Sequence, residues 1–197
     1  MSIIIEHDKR RSEILQKALE VFIDEGFEDT TYQKIADRCG ITRTTLYMYF
    51  KNKKDIFNYS IKQLLSDVEN DVVAIRKDKK LSFTERLTKI VSTVIDRLEE
   101  NKNLLSVILD YLRYIAKGET DPDYRVRKRT IKLRHILAQV VIDGIRTGEL
   151  KNVNVKAADD LLYGLIESAI YRLVVLKRDS AAEVKAAAAV AVQMLAL

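Results

Sequence analysis

The segment TTYQKIADRCGITRTTLYMYF, residues 30–50, constrains the fold more than any other part of the chain. It sets two short apolar-periodic segments on either side of one glycine. Thr31 is suited to cap a helix over residues 32–39, because its hydroxyl can accept from a free first-turn amide, an interaction worth about 1 kcal/mol. Gly40 follows where the chain must turn sharply, and a residue without Cβ accepts positive φ cheaply. Thr42 caps a second helix over residues 43–50. Two short helices joined by a glycine turn form a helix-turn-helix. Ala36 is small enough to let the two helices cross closely, and Ile35, Ile41 and Leu46 are spaced to fill the small core between them.

The remainder also reads as helix. Six glycines and one proline in 197 residues leave little material for the tight turns of a sheet-rich protein. Ile14, Leu15, Ala18, Leu19, Phe22 and Ile23 place one apolar stripe on a helix over about 8–25, which Gly26 is expected to end as a left-handed C′ glycine. A helix from Lys53 or Lys54 to Ile75 follows. Further periodic segments lie over about 82–101, 103–117, 122–147, 155–177 and 180–196, separated by RKDKKLS, GETDP, TGELKN and RDS. Pro122 suits a first helical turn. The expected architecture is all-α with about nine helices. It comprises an N-terminal three-helix helix-turn-helix domain at 1–55 and a helical domain at 56–197.

Several functional classes find no support. Cys39 is the one cysteine and His7 and His135 the two histidines, so neither an internal disulfide nor zinc-type spacing exists. No metal or cofactor is expected. The N-terminus puts its apolar residues before its charges, the reverse of a secretory signal. The charge-free stretch Ala186–Leu197 is shorter than the roughly 18 residues a membrane span needs. The expectation is a soluble cytoplasmic protein. No serine elbow, phosphate loop, Cys/His pair or metal-ligand cluster supports an enzyme.

Charge and aromatic chemistry point elsewhere. Residues 1–31 hold four Lys and Arg against eight Asp and Glu, whereas residues 32–54 hold six against the single Asp37. A polyanion-binding surface requires such a concentration of basic charge. On a helical wheel for 43–50, Leu46 and Phe50 point one way with Tyr49 beside them. Thr44, Thr45, Tyr47 and Met48 point away, and Arg43 stands in the first turn. An arginine there can reach guanine O6 and N7, a contact worth roughly 1–3 kcal/mol of discrimination, while Thr methyls and Met48 can pack on thymine methyls. Thr31, Tyr47, Tyr49 and Lys53 suit phosphate oxygens, which position a protein without reading sequence. A tyrosine and phenylalanine cluster in a core is the alternative that the pattern alone leaves open.

These residues also carry a resemblance. GFEDTTYQKIADRCGITRTTLYMYFKNKKDIF resembles the DNA-binding domain of the tetracycline-repressor (TetR) family of bacterial transcriptional regulators. The match runs over about residues 10–57. It rests on Gly26-Phe27, Thr30-Thr31, Ile35-Ala36, Gly40-Ile41, Thr45-Leu46-Tyr47, Tyr49-Phe50 and Lys51-Asn52-Lys53. The resemblance implies a ligand-responsive DNA-binding regulator, a homodimeric repressor released from a palindromic operator by a small molecule. It implies phosphate contacts at Tyr47 and Lys53 and base contacts at the start of the recognition helix. The DNA-binding residues carried over are Thr31, Tyr32, Thr42, Arg43, Thr44, Thr45, Tyr47, Met48, Tyr49 and Lys53, with Tyr32 and Met48 at positions that vary widely in the family.

For the C-terminal part the resemblance implies an effector-binding and dimerisation domain. Residues 155–177 are apolar nearly all round, which fits a helix buried on both sides. Gly164 and Ser168, four apart, permit close helix approach, and the last helix is rich in small residues. Leu161, Gly164, Leu165, Ser168, Ala187 and Val190 are the expected dimer contacts, the alternative being a monomer core. Tyr111, Tyr114, His135, Tyr163, Glu167 and Tyr171 are the polar residues placed to line an effector cavity, with a core or interface role as their alternative. A hydrophobic or aromatic effector fits such a lining. The basic run YRVRKRTIKLRH, residues 124–135, reads as the solvated face of a long helix, with Arg127 or Arg134 able to turn inward toward an anionic effector. A constitutive DNA binder without effector, and an enzyme using the C-terminal cavity, are the other functional readings.

Overall fold

The computed structural model describes the backbone of residues 2–116 and 124–197, with side chains except at 2–6, 63, 64, 113–116 and 124–129. Pro122 and the side chains of Tyr114 and Arg127 lie outside the described residues. The described chain is all-α: α1 Ser2–Asp29, α2 Tyr32–Cys39, α3 Arg43–Tyr49, α4 Lys53–Lys77, α5 Phe83–Glu100, α6 Lys102–Ala116, α7 Tyr124–Thr147, α8 Val155–Ile170 and α9 Ala182–Leu195. A π-helical turn, Tyr171–Val175, extends α8. The single helix expected over 155–177 therefore changes its winding at its end, and Lys177 closes it with φ 51°.

The chain divides into two compact units. The first takes Met1–Leu65 together with Asn103–Pro122, and the second takes Ser66–Lys102 and Asp123–Leu197. This differs from a division after residue 55. The reason is packing at a distance in sequence: Leu104, Val107, Ile108 and Tyr111 of α6 join the core of α1 to α4.

That first core is aromatic at its centre. Phe27 and Phe57 lie 4.4 and 4.8 Å, centroid to centroid, from Tyr111, and Phe22 lies 4.9 Å from Phe57 in edge-on geometry, arrangements favoured by ring quadrupoles. Ile14, Ala18, Ile35, Ala36, Leu46 and Phe50 fill the space between α1, α2 and α3. Gly26 interrupts α1 with φ 79° and ψ 169°. Its φ is positive as expected, but its ψ is extended rather than left-handed helical, so one further helical turn to Asp29 follows it. That backbone region is essentially restricted to glycine.

The second core joins α5, α7, α8 and α9 through Leu87, Ile90, Val91, Ile95, Leu137, Val140, Val141, Leu162, Ile166, Ala188 and Val192. Two of its helices start on side-chain caps. Ser82 and Glu85 form a reciprocal capping box on α5, and Asn154 caps α8 through Ala157 N at 3.1 Å. Glu99 of α5 accepts from Ala181 N at 2.5 Å, holding the start of α9. On α7, Arg134 turns inward as one sequence option had it, but toward protein: its Nε donates to Asp159 at 2.8 Å and its Nη2 pairs with Asp160. Ile131, on the same helix, is 60% exposed, in keeping with a solvated face.

Candidate nucleic-acid interface

The helix-turn-helix forms as its residues dictate. Thr31 Oγ1 accepts from Lys34 N at 3.2 Å and Thr42 Oγ1 from Thr45 N at 3.1 Å, so both short helices are capped by the expected threonines. Gly40 between them has φ 67° and ψ 36°, left-handed, and its N–H closes α2 on Asp37 O. Leu46 and Phe50 are buried, Ile41 is half-buried, and α3 is thereby held by its apolar side.

The opposite side of α3 is wet. Arg43 and Thr44 are exposed, Tyr47 is 52% exposed and Met48 74%. Thr45 is half-buried, with its hydroxyl 2.9 Å from that of Thr42, so it turns toward the cap more than the wheel implies. Tyr49 is half-buried and stacks on His7 at 4.6 Å. Arg43, Thr44, Tyr47 and Met48 thus form one continuous exposed strip offering a guanidinium, a hydroxyl, a phenol and a thioether. Such a strip can donate to base edges or phosphates and pack on methyl groups.

Two residues expected on DNA are turned to the protein. The Tyr32 phenol donates to Phe50 O at 2.6 Å, and its ring stacks on Tyr47 at 4.5 Å. Burial, then the neighbouring Tyr47 and Asp55, push the Tyr32 phenol up to about 12. Lys53 Nζ donates at 2.8 Å to each of three carbonyls, those of Phe27, Glu28 and Thr30, and lies 4.8 Å over the Phe27 ring. Burial takes the Lys53 pKa below the ordinary lysine value, against the opposing pull of Asp29 and Glu28.

The basic charge of residues 32–54 divides accordingly. Lys34 pairs with Glu25, and Arg38 spans Glu20 at 3.2 Å and Asp24 at 3.0 Å. With Lys53, three of the six cations are spent on α1, whose acidic surplus they answer. Arg43, Lys51 and Lys54 remain exposed. The charge contrast between residues 1–31 and 32–54 is therefore partly an internal latch. Arg11 was not singled out from the sequence, yet its guanidinium lies 4.2 Å over Tyr59 and 5.1 Å over Phe50. Its place four residues after His7, on the same helical face, is the signal that could have found it.

The residues expected to line an effector cavity divide between the two units. Tyr111 is a core residue of the first unit. In the second unit Tyr163 is half-buried, with its hydroxyl 3.4 Å from that of Thr130 and the Arg134 guanidinium 5.3 Å over its ring. His135 and Glu167 are exposed, and Tyr171 is 54% exposed. Glu167 and Tyr171 share a stripe of α8 with Leu161, Gly164 and Ser168, of which Leu161 is exposed and the other two half-buried. Leu165 is half-buried, while Ala187 and Val190 of α9 are exposed.

Comparison with known proteins places this geometry. The family model described as bacterial regulatory proteins, tetR family, matches residues 14–59. The fatty acid metabolism regulator protein of Bacillus subtilis is 26% identical over 163 residues, 80% of each chain. A TetR transcription regulator from Haloarcula marismortui has the same fold, with a TM-score of 0.84 and 21% identity over 96% of this chain and 100% of that one. The ketosteroid transcriptional regulator KstR2 of Mycobacterium tuberculosis superposes with a TM-score of 0.68 and 20% identity, covering 95% of each chain. The capped helix-turn-helix and its motif residues agree with these matches: residues 14–59 match the tetR family of bacterial regulatory proteins, and the chain as a whole shares the fold of TetR transcription regulators.

Proposed function

We propose that the protein is a ligand-responsive repressor, a homodimer whose two α3 helices bind a palindromic operator and which a small apolar molecule releases. The observation that carries the DNA reading is the exposed strip of Arg43, Thr44, Tyr47 and Met48 on a helix fixed by its caps and its buried Leu46. Arg43 reads a base edge, Thr44 and Met48 pack on methyl groups, and Tyr47 holds phosphate, with Thr31, Thr42, Thr45 and Tyr49 flanking. Tyr32 serves the same surface from behind, through Tyr47.

Dimerisation is supported by apolar surface that the single chain leaves open. Leu161 on α8 and Val190 and Met194 on α9 are 48%, 63% and 71% exposed. A stable dimer buries side chains of this kind at its centre. Glu167 and Tyr171 belong to that surface by their place on the stripe of α8. Tyr163 is the best-placed polar contact for an effector. The B. subtilis relative is named for fatty acid metabolism and the M. tuberculosis protein for ketosteroids, and both names concern largely apolar molecules.

The test is titration of a panel of long-chain fatty acids, their thioesters and steroids against a complex of the protein with a selected duplex, followed by anisotropy. An effector preferring one spacing of the recognition helices by about 1–3 kcal/mol weakens DNA binding about 5- to 150-fold, and DNA weakens effector binding by the same factor. A panel in which every member leaves duplex affinity unchanged would favour a constitutive binder.

A further inference from the structure

We propose that His7, near the start of α1, extends the DNA-binding surface past the end of α3, as a positioning residue for Tyr49 and as a second donor to the same phosphate backbone. The inference rests on the reading of α3 as the DNA-binding helix. His7 is exposed, and its ring stacks on that of Tyr49, with centroids 4.6 Å and planes 24° apart. Tyr49 is half-buried and is the last residue of α3. It stands one turn after Thr45, on the flank of the exposed strip that ends in Met48. A phenol and an imidazole held face to face there offer two donors beside the place where α3 stops.

The surroundings of His7 suit an anion. One turn on along the same face of α1, the Arg11 guanidinium lies 4.2 Å over Tyr59 and 5.1 Å over Phe50. Its buried Nε has no hydrogen-bond partner among the described residues. From α4, Lys62 Nζ lies 5.9 Å over the same Tyr59 ring. Arg10, three residues after His7, pairs with Glu13 at 2.9 Å. Asp8 and Lys9, next in sequence, leave α1 in other directions. The groups placed around His7 are therefore Tyr49 on α3, Arg10 and Arg11 on α1, and Tyr59 and Lys62 on α4: rings and cations, with Glu13 already paired. An imidazole is the side chain whose charge ordinarily changes between pH 5 and 8. A phosphate beside it favours the imidazolium, which has two N–H donors and makes a charge-assisted bond. Binding at His7 then takes up a proton, so duplex affinity rises as pH falls. A stack on Tyr49 alone needs no proton.

Two substitutions separate the roles. His7→Phe keeps a ring on Tyr49 and removes the donors, whereas His7→Ala removes both. Affinity for a random-sequence duplex of about 30 base pairs at low salt is measured at about pH 8 and about pH 5.5. On acidification the wild type should gain about tenfold more than His7→Phe does, or about threefold for each imidazole of a dimer. At the higher pH, His7→Phe should bind within about twofold of the wild type, and His7→Ala about fivefold more weakly than either. In the wild type, the nuclear magnetic resonance signals of the His7 ring should titrate at a higher pH with duplex than without it, because the coupling is reciprocal. A His7→Phe protein that gains as much on acidification as the wild type would overturn the inference, as would a His7→Ala protein that matches His7→Phe at the higher pH. So would His7 signals whose titration the duplex leaves unchanged, a measurement that uses the wild type and decides even if a variant does not fold. A wild type that ignores the duplex at both pH values would instead fail the DNA-binding reading itself, whereas duplex binding with an indifferent His7 fails this inference alone.

Discussion

The phenol of Tyr32 donates to the carbonyl of Phe50 at 2.6 Å, tying the first residue of α2 to the residue that ends α3. The bond closes the helix-turn-helix as a loop, and its ring stacks on the half-exposed Tyr47. Tyr32→Phe should therefore cost about 1 kcal/mol, as the loss of one neutral hydrogen bond does. The contribution should depend on pH. The neutral phenol is the donor, and its pKa is raised to about 12 from an ordinary 10.0. The stabilisation is then fully present below pH 10 and is lost as pH rises toward 12. Melting of wild type and Tyr32→Phe from pH 8 to pH 11.5 checks this. The wild-type advantage should shrink across the upper part of the range, and a constant advantage would contradict the assignment.

The buried carboxylate of Asp159 depends on Arg134. Asp159 is 6% exposed, and Oδ1 accepts no hydrogen bond among the described residues, so the arginine on Oδ2 is its main compensation. Arg134→Met should destabilise the protein by about 3 kcal/mol in urea unfolding, because it leaves a buried charge unpaired. Adding Asp159→Leu should recover most of that loss. A double variant as unstable as the single one would mean that Arg134 acts through Asp160 or through its stacking on Tyr163 instead.

Local structure was largely legible in the sequence because its causes are local. Thr31, Gly40 and Thr42 act on their own backbone, and they set the ends of α2 and the start of α3 where the residues indicate. The periodic segments beyond them became helices with ends shifted by a few residues at most, apart from the change of winding after Ile170. Less legible was the direction of long side chains. Lys34, Arg38 and Lys53 look like a polyanion surface in sequence, yet the acids and carbonyls of α1 capture them only once α1 lies alongside. The same holds for Tyr111: an amphipathic α6 says that it packs, not on which core. An effector cavity asks for still more, since its lining depends on which polar residues of several helices converge.

The exposed apolar residues of α8 and α9 make a separable prediction. Leu161→Glu with Val190→Glu should leave the Tm of the single chain within a few degrees, because both side chains lie largely outside its own core. Sedimentation should change from dimer to monomer, since burying either carboxylate at the centre of an apolar interface is costly. A double variant that sediments as the wild type does would place the dimer contact elsewhere.

The central claim is that the exposed strip of α3 reads DNA in two copies, and selection of bound duplexes from a random pool tests it most directly. The wild type should enrich a palindrome whose half-sites lie about one helical turn or a little more apart. Arg43→Ala should enrich the same palindrome with base preference relaxed at one position in each half, a loss of about 1–3 kcal/mol of discrimination there. A wild type that enriches no sequence, or only a single half-site, would contradict the account, as would an Arg43→Ala protein that enriches the wild-type palindrome unchanged.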